Sequence, residues 1–258
     1  MKPYIPTSLH SHIRSHSVFV FEVGGDGFGS GVLVNIANRV FVLSAEHVIR
    51  GDIDINLGIV PHQSRFTILN KWSDEESDIG FLELDPFEVN IRLSQYSAPF
   101  SVHRKILAEI PSNRTRLALC GFPRGEAKEV DGVKQVPVTF ITVALLAYEL
   151  WTSQLKSKYD PKKRLVIPYG EKWGGPFVDG NKIPRNPISP FGLSGCGLWH
   201  FDPETQDSDK PVYSLIGIQH STVSSEGVLV CTPLDELIDR FSNHYGINIA
   251  SDSNGGAA

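Results

Sequence analysis

The chain is predicted to be an all-β protein. Its apolar residues fall in short runs divided by turn residues, and only one segment near the end has a helical pattern. The runs at 18–23, 30–36 and 40–44 are rich in Val, Ile and Phe and have the length of strands. Glycine and asparagine separate them, as at 24–27. A succession of short strands and turns favours an all-β fold.

The strand pattern weakens between residues 93 and 111, so we predict a domain boundary there. The first domain is predicted to span residues 15–100 and the second residues 101–245, followed by a flexible tail at 246–258. Within the second domain, the stretch 154–190 is rich in Lys, Pro and Gly and is predicted to be a long loop.

One helix is predicted, at residues 232–245. Thr232 suits the N-cap and Pro233 the first helical position. Four apolar residues recur at helical spacing and predict the buried stripe: Leu234, Leu237, Ile238 and Phe241. Residues 1–16, which are polar and contain three histidines, are predicted to form a solvated flexible arm.

The composition excludes several classes of protein. A net charge of −5 and a pI near 6.0 argue against nucleic acid as a partner, because its binders carry a basic face. The longest apolar stretch, 136–150, is interrupted by Pro and Thr and is too short to span a membrane. The chain has three cysteines, Cys120, Cys196 and Cys231. An odd number argues against a disulfide framework, and their spacing is not that of metal ligands. No secretory signal is visible, so we expect a soluble cytoplasmic protein with no metal and no cofactor.

Three short motifs carry candidate chemistry. A serine lies between glycines at 192–195, a histidine follows an apolar run at 44–47, and Asp78 precedes another apolar run. A serine hydroxyl is a poor nucleophile until a base removes its proton. Imidazole is such a base near neutral pH, and a carboxylate fixes its tautomer. The chain order His47, Asp78, Ser194 is one of the known orders for this arrangement.

Each of these residues also has a plainer interpretation on its own. Ser194 fits a tight turn with a solvated hydroxyl, His47 a strand-end histidine bonded to a carbonyl, and Asp78 a cap at a strand start. Their joint occurrence in one order favours the catalytic interpretation. The backbone amides of Gly192 and Ser194 would then form the oxyanion hole, which such an attack requires.

The flanking residues strengthen this interpretation. The segments 29–34 and 41–48 resemble the glycine-rich strand and the histidine element of trypsin-like (chymotrypsin-fold) serine peptidases. The segments 77–84 and 192–197 resemble the aspartate strand and the nucleophile loop of that family. The resemblance implies two six-stranded antiparallel β-barrels with a C-terminal helix, and a catalytic triad in the cleft between them.

The resemblance also implies where substrate binds and how the chain departs from the family. The substrate pocket would be built from positions shortly before the serine, among them Phe191, and from the strand 216–220. The candidate substrate contacts in these regions are Ile188, Ser189, Gly217, Ile218 and Gln219. No acidic residue lies just ahead of Ser194, so a small or apolar substrate residue is expected before the cut. Leu193 stands where members activated by precursor cleavage have an aspartate, so activation by that route is not expected.

The function expected from the resemblance is an intracellular serine endopeptidase that cleaves one or a few proteins or peptides through an acyl-enzyme. A regulatory protein partner and a role in a bacterial stress or defence module are further expectations, with loop 154–190 shielding the cleft. The alternative is a catalytically silent member that binds a peptide or a partner. An esterase on another fold would have alternating helices and the order Ser, Asp, His, and neither is present.

Overall fold

The structure is a computed structural model that describes residues 7–56, 66–92, 99–101, 116–126, 128–130, 133–169, 177–178, 181–182, 189–205 and 208–246. These residues form two curled antiparallel sheets, each with six main strands, and a C-terminal helix. The predicted all-β fold class is therefore confirmed. No helix in the described part of the chain has both the length and the apolar character needed to cross a membrane.

The first sheet is built from hairpins of the N-terminal half. Its strands are β1 (Ser17–Glu22), β2 (Phe28–Ile36), β3 (Arg39–Ser44), β4 (Ile53–Asn56), β5 (Ile68–Asp74) and β6 (Ile79–Leu84), in the order β4-β1-β2-β3-β6-β5. A two-residue strand, β7 (Phe100–Ser101), pairs with β2 in parallel. Ala37 and Asn38 join β2 to β3 with φ angles of 49° and 62°. Two positive φ angles define the turn whose twist matches that of the flanking strands.

The second sheet repeats this architecture. The strands are β8 (Arg116–Gly121), β9 (Lys128–Val130), β10 (Val133–Gln135), β11 (Thr139–Val143), β12 (Leu165–Pro168), β13 (Phe177–Val178), β14 (Asn181–Lys182), β15 (Gly197–Phe201), β16 (Tyr213–Val223) and β17 (Val228–Pro233). Six of them form the order β12-β17-β16-β15-β8-β11, and the hairpin β13-β14 extends the edge at β11. Strands β9 and β10 form a separate hairpin.

The two sheets have the same winding. When the six main strands of each sheet are renumbered in chain order, the first sheet reads 4-1-2-3-6-5 and the second reads 3-6-5-4-1-2. Both are the same cycle, 1-2-3-6-5-4, opened at different points. Each sheet is therefore a half-barrel of one common topology.

Helices cover the sheets and connect them. They are α1 (Thr7–Ser15), α2 (Glu46–Ile49), α3 (Pro86–Arg92), α4 (Ser153–Lys158) and α5 (Leu234–Tyr245). Although α5 follows the second sheet, its Phe241 ring packs against the first, with ring centroids 4.8 Å from Phe41 and 5.1 Å from Phe81. Both sheets contribute buried residues to the same core cluster, so one apolar core joins them.

The terminal helix agrees with the sequence pattern except at its first residue. The four residues of the predicted stripe are all buried. The helix begins at Leu234, since Thr232 still belongs to β17 and pairs with Ile218. Of the predicted tail, only Gly246 lies within the described residues.

Two segments predicted to be irregular contain regular structure. Residues 7–15 form α1, where Leu9 and Ile13 are fully buried at a spacing of four, so this part of the predicted arm is an anchored helix. The predicted loop 154–190 includes most of α4 and the whole of β12, which pairs with β17. The sequence pattern does not reveal α1, α4 and β12, because each buries only a few apolar residues among charged or polar neighbours.

Candidate active site

His47 and Asp78 are in direct contact. The His47 Nδ1 lies 2.9 Å from both carboxylate oxygens of Asp78, and the His47 backbone N–H donates to Asp78 Oδ1 at 3.2 Å. His47 is in the first turn of α2, directly after β3, while Asp78 ends the turn between β5 and β6. Asp78 has a φ of 52°, in the left-handed region that aspartate tolerates better than most residues. Because the ring nitrogen and the amide both face the carboxylate, the orientation of His47 is fixed.

The Asp78 carboxylate is held in its charged form. Burial alone would raise the pKa of this carboxyl, but the His220 and His47 side chains outweigh that effect and hold the pKa well below its usual range. An ionised Asp78 requires a proton on the His47 nitrogen that faces it. In the neutral ring the other nitrogen, Nε2, is therefore the proton acceptor.

Ser194 lies in a pair of consecutive tight turns. The Leu193 N–H donates to the Pro190 carbonyl at 3.0 Å, and the Cys196 N–H donates to the Leu193 carbonyl at 2.8 Å. Gly192 and Gly195 are the third residues of these turns, each with a φ of +89°. Turns of this type need glycine at the third position. The glycines on either side of Ser194 are thus explained by backbone geometry.

The turns leave two amides available at the cleft. No hydrogen bond among the described residues uses the N–H of Gly192 or of Ser194. The carbonyl of Phe191 accepts from the Arg124 N–H at 2.6 Å, which directs the Gly192 N–H of the same trans peptide the opposite way. The bond from Cys196 to the Leu193 carbonyl fixes the Ser194 N–H in the same manner. Two oriented donors without partners at one turn are suited to binding an oxyanion.

Ser30 on β2 fastens this turn to the first sheet. Its N–H donates to the Ser194 carbonyl at 2.8 Å, and its hydroxyl donates to the Gly192 carbonyl at 2.7 Å. The same hydroxyl accepts from the Phe122 N–H at 2.9 Å. A side chain at Gly195 would overlap the Ser30 carbonyl and the Ser44 hydroxyl. The turn that contains Ser194, residues 190–196 (the Ser194 turn), is therefore packed directly against the first sheet.

Leu193 anchors the turn on its other side. The side chain is fully buried in the core cluster of the second sheet, together with Cys196 and Leu198. Leu193 is thus an apolar anchor at the position where peptidases activated by precursor cleavage have an aspartate. The turn is thus ordered by packing and by backbone hydrogen bonds.

Both halves of the site meet in one cleft of about 710 Å³. Its lining residues are Glu22, Gly27, Phe28, His47, Val48, Arg50, Gly51, Ile53, Pro190, Phe191, Gly192, Ser194, His220 and Thr222. Within the described residues, no hydrogen bond joins the Ser194 hydroxyl to the His47 ring. Catalytic hydrogen bonds are often long in the absence of substrate and tighten when it binds.

The residues expected to bind substrate differ in their burial and in their distance from the cleft. Ile188 lies outside the described residues, and Ser189 is half-buried near Gly125. Gly217, Ile218 and Gln219 are buried in β16. The residues of β16 that line the cleft are the next ones along, His220 and Thr222.

The sequence places His220 at the end of the strand region expected to contact substrate, but it does not predict the position of His220 beside Asp78. Its side chain is 3% exposed, and its Nδ1 lies 3.7 Å from Asp78 Oδ2. The signal available in the sequence was a histidine that ends an apolar strand pattern, as His47 does.

The described part of the chain was compared with the arrangements that bind metal ions. Across the described ranges, no group of three or more His, Cys, Asp and Glu side chains is arranged to hold a metal ion. Cys120, Cys196 and Cys231 are buried thiols, and burial raises the pKa of Cys196 and of Cys231. These two cysteines are protonated and behave as core residues.

Comparison with known proteins supports the fold class. No protein-family profile and no curated protein matches the chain. A solved structure described as "Structure of GrC" has a TM-score of 0.59 and 15% sequence identity, and the match covers 92% of this chain and 96% of that one. At this identity the likeness concerns the fold alone. Together with the two half-barrels and the terminal helix, it shows that the chain has a chymotrypsin-like fold.

Proposed function

We propose that the protein is a serine endopeptidase with Ser194 as nucleophile, His47 as general base and Asp78 as the residue that orients the base. The observation that carries the proposal is the contact of His47 Nδ1 with both Asp78 oxygens at 2.9 Å, in the cleft that Ser194 also lines. This contact selects the tautomer in which Nε2 is free to take the serine proton.

The reaction would proceed through an acyl-enzyme. Ser194 Oγ attacks the peptide carbonyl carbon while His47 Nε2 takes the hydroxyl proton. The N–H groups of Gly192 and Ser194 bind the resulting oxyanion. When the C–N bond breaks, His47 gives its proton to the leaving amine. Water then attacks the acyl group by the same route and releases the acid.

The cleft indicates an extended protein or peptide as substrate. It is open, and Phe191, which is 74% exposed, stands directly before the proposed oxyanion hole. Phe28, from the first sheet, also lines the cleft and lies next to Gly192. On β16 we assign substrate contact to the exposed Thr222, in place of Gly217, Ile218 and Gln219, which are buried. Apolar rings at the cleft agree with an apolar substrate residue near the cut.

Labelling with a fluorophosphonate probe tests the proposal. Such a probe forms a covalent bond only with an activated serine. We expect the wild-type protein to be labelled and Ser194→Ala not to be labelled. Ser225→Ala is the matched control, because Ser225 is an exposed serine in the turn between β16 and β17.

The alternative function is a catalytically silent module that binds a peptide or a regulatory partner in the same cleft. The observation in its favour is the missing hydrogen bond between the described side chains of Ser194 and His47. Absence of labelling in the wild-type protein, with and without peptide substrates, would favour this alternative. Labelling that persists in Ser194→Ala would contradict the assignment of the nucleophile.

A further inference from the structure

His220 is a buried histidine at an irregularity of β16. On β17, Cys231 pairs with Gln219 and Val230 pairs with Ser221, so His220 is the extra residue of a bulge. Bulges redirect side chains and are common beside active sites. Here the bulge interrupts the ladder at the residue that lies beside Asp78.

The surroundings of His220 define its tautomer. The Nδ1 atom lies 2.7 Å from Ser221 Oγ and 3.7 Å from Asp78 Oδ2. A lone pair on Nδ1 would face the negative carboxylate and be repelled, whereas an N–H is attracted by it. The proton therefore belongs on Nδ1, where Ser221 Oγ accepts it. At 3.7 Å the contact with Asp78 is longer than a hydrogen bond and acts through charge–dipole attraction.

The other ring nitrogen has no structural use. The Nε2 atom of His220 is buried and has no hydrogen-bond partner among the described residues. A buried polar atom without a partner is costly, so a histidine kept only for packing would be replaced by an apolar residue at little loss. The Nδ1 side of the ring, which faces Asp78, is the part with a defined role.

Burial favours the neutral form of the His220 ring. Burial lowers its pKa; Asp78 opposes this shift, while Arg164 and His47 add to it. A neutral His220 ring has no positive charge, so it does not weaken the attraction between the Asp78 carboxylate and His47. His220 therefore orients Asp78 without competing for it as a cation.

We propose that His220 is a positioning residue, a second imidazole on the Asp78 carboxylate that holds this group in the orientation that His47 uses. The kinetic part rests on the proposed function, because it takes His47 as the base. The structural part, a His220 ring protonated on Nδ1 beside Asp78, stands independently of any activity.

The structural part is tested by ¹⁵N NMR of the histidine rings in the wild-type protein between pH 6 and 8. We expect the proton of His220 on Nδ1 throughout this range. A proton on Nε2, or a charged ring at pH 7, overturns the proposal. The measurement needs neither a variant nor catalysis.

Two substitutions test the effect on Asp78. His220→Leu removes the donor, while His220→Gln keeps a neutral amide N–H on the same strand. We expect the Asp78 carboxyl, followed by its ¹³C signal, to have a higher pKa in His220→Leu, with a smaller rise in His220→Gln. An unchanged Asp78 titration in His220→Leu contradicts the proposal. His200→Leu is the control, because His200 lies on β15 outside the residues that line the cleft.

The kinetic test uses a peptide substrate. Loss of an N–H dipole beside the charged Asp78 carboxylate predicts a fall in kcat of about ten-fold in His220→Leu with KM unchanged, and recovery of most of this loss in His220→Gln. Equal kcat in wild type and His220→Leu overturns the positioning role. If neither the wild-type protein nor any variant is active, the proposed function fails. The ¹⁵N spectra of the histidine rings and the ¹³C titration of Asp78 still decide the role of His220.

Discussion

The hydroxyl of Ser30 offers the most direct test of which hydrogen bonds fix the Ser194 turn. Ser30 is fully buried, donates to the Gly192 carbonyl at 2.7 Å and accepts from the Phe122 N–H at 2.9 Å. Ser30→Ala leaves both backbone groups without these partners. An unsatisfied buried group costs about 1–3 kcal/mol, so we expect the free energy of unfolding to fall by about 3 kcal/mol.

The control for this experiment is Ser44→Ala in the neighbouring strand. Ser44 is equally buried, but its hydroxyl makes a single hydrogen bond, to the Ser30 carbonyl at 2.7 Å. We expect this variant to lose about 1 kcal/mol. Urea unfolding at 25 °C, followed by tryptophan fluorescence, measures both values. Equal losses in the two variants would refute the argument that the hydroxyl of Ser30 bridges two backbone groups.

Ser30→Ala also has an expected effect on labelling. Without the bond from Ser30, the Gly192 carbonyl loses its anchor, so the neighbouring peptide is free to turn away from the cleft. We expect fluorophosphonate labelling to slow by about ten-fold, the equivalent of one lost hydrogen bond. A labelling rate equal to that of Ser44→Ala would show that the turn is held by its other contacts.

Four more predictions concern the same turn and its partners. Asp78→Asn should slow labelling by about a thousand-fold or more, because the amide no longer selects the required histidine tautomer; wild-type rates would contradict this. Since the pKa of Asp78 is lower in the folded than in the unfolded chain, the unfolded chain takes up the proton first, and stability falls below about pH 4. Urea titrations should show a weaker dependence on pH in Asp78→Asn over that range. Gly195→Ala should cost more than 4 kcal/mol or prevent folding, while Gly24→Ala, with similar φ and open space around it, should cost about 1–2 kcal/mol. Leu193→Ala should cost about 2–5 kcal/mol by leaving a cavity in the second sheet, and a loss below 1 kcal/mol would contradict its role as anchor.

Local patterns account for the parts of the fold that the sequence predicted. The stripe of α5 and the strands around His47 are encoded by neighbouring residues, so their periodicity is visible without a structure. By contrast, α1 buries only Leu9 and Ile13 among polar residues, and its stability comes from the core that it joins. Strand β12 becomes recognisable only when β17 supplies its partner.

The site was predictable only in part for a similar reason. The motifs around His47, Asp78 and Ser194 follow a known order, which the resemblance made visible. The position of His220 depends on a bulge in β16 and on the approach of two distant segments. Strand periodicity alone predicts neither, so the sequence places His220 only within a region expected to contact substrate and does not connect it with Asp78.

The attachment of the Ser194 turn to β2 determines what happens to the site when the two halves of the molecule separate. Ser30 belongs to the first sheet and Leu193 to the core of the second, and both hold the residues around Ser194. A half-barrel folded alone would keep its strands and still lack the shape of this turn. The turn therefore forms and melts with the contact between the halves. A molecule whose halves have separated, even briefly, retains at most the contact of His47 with Asp78 and loses the shape of the turn around Ser194.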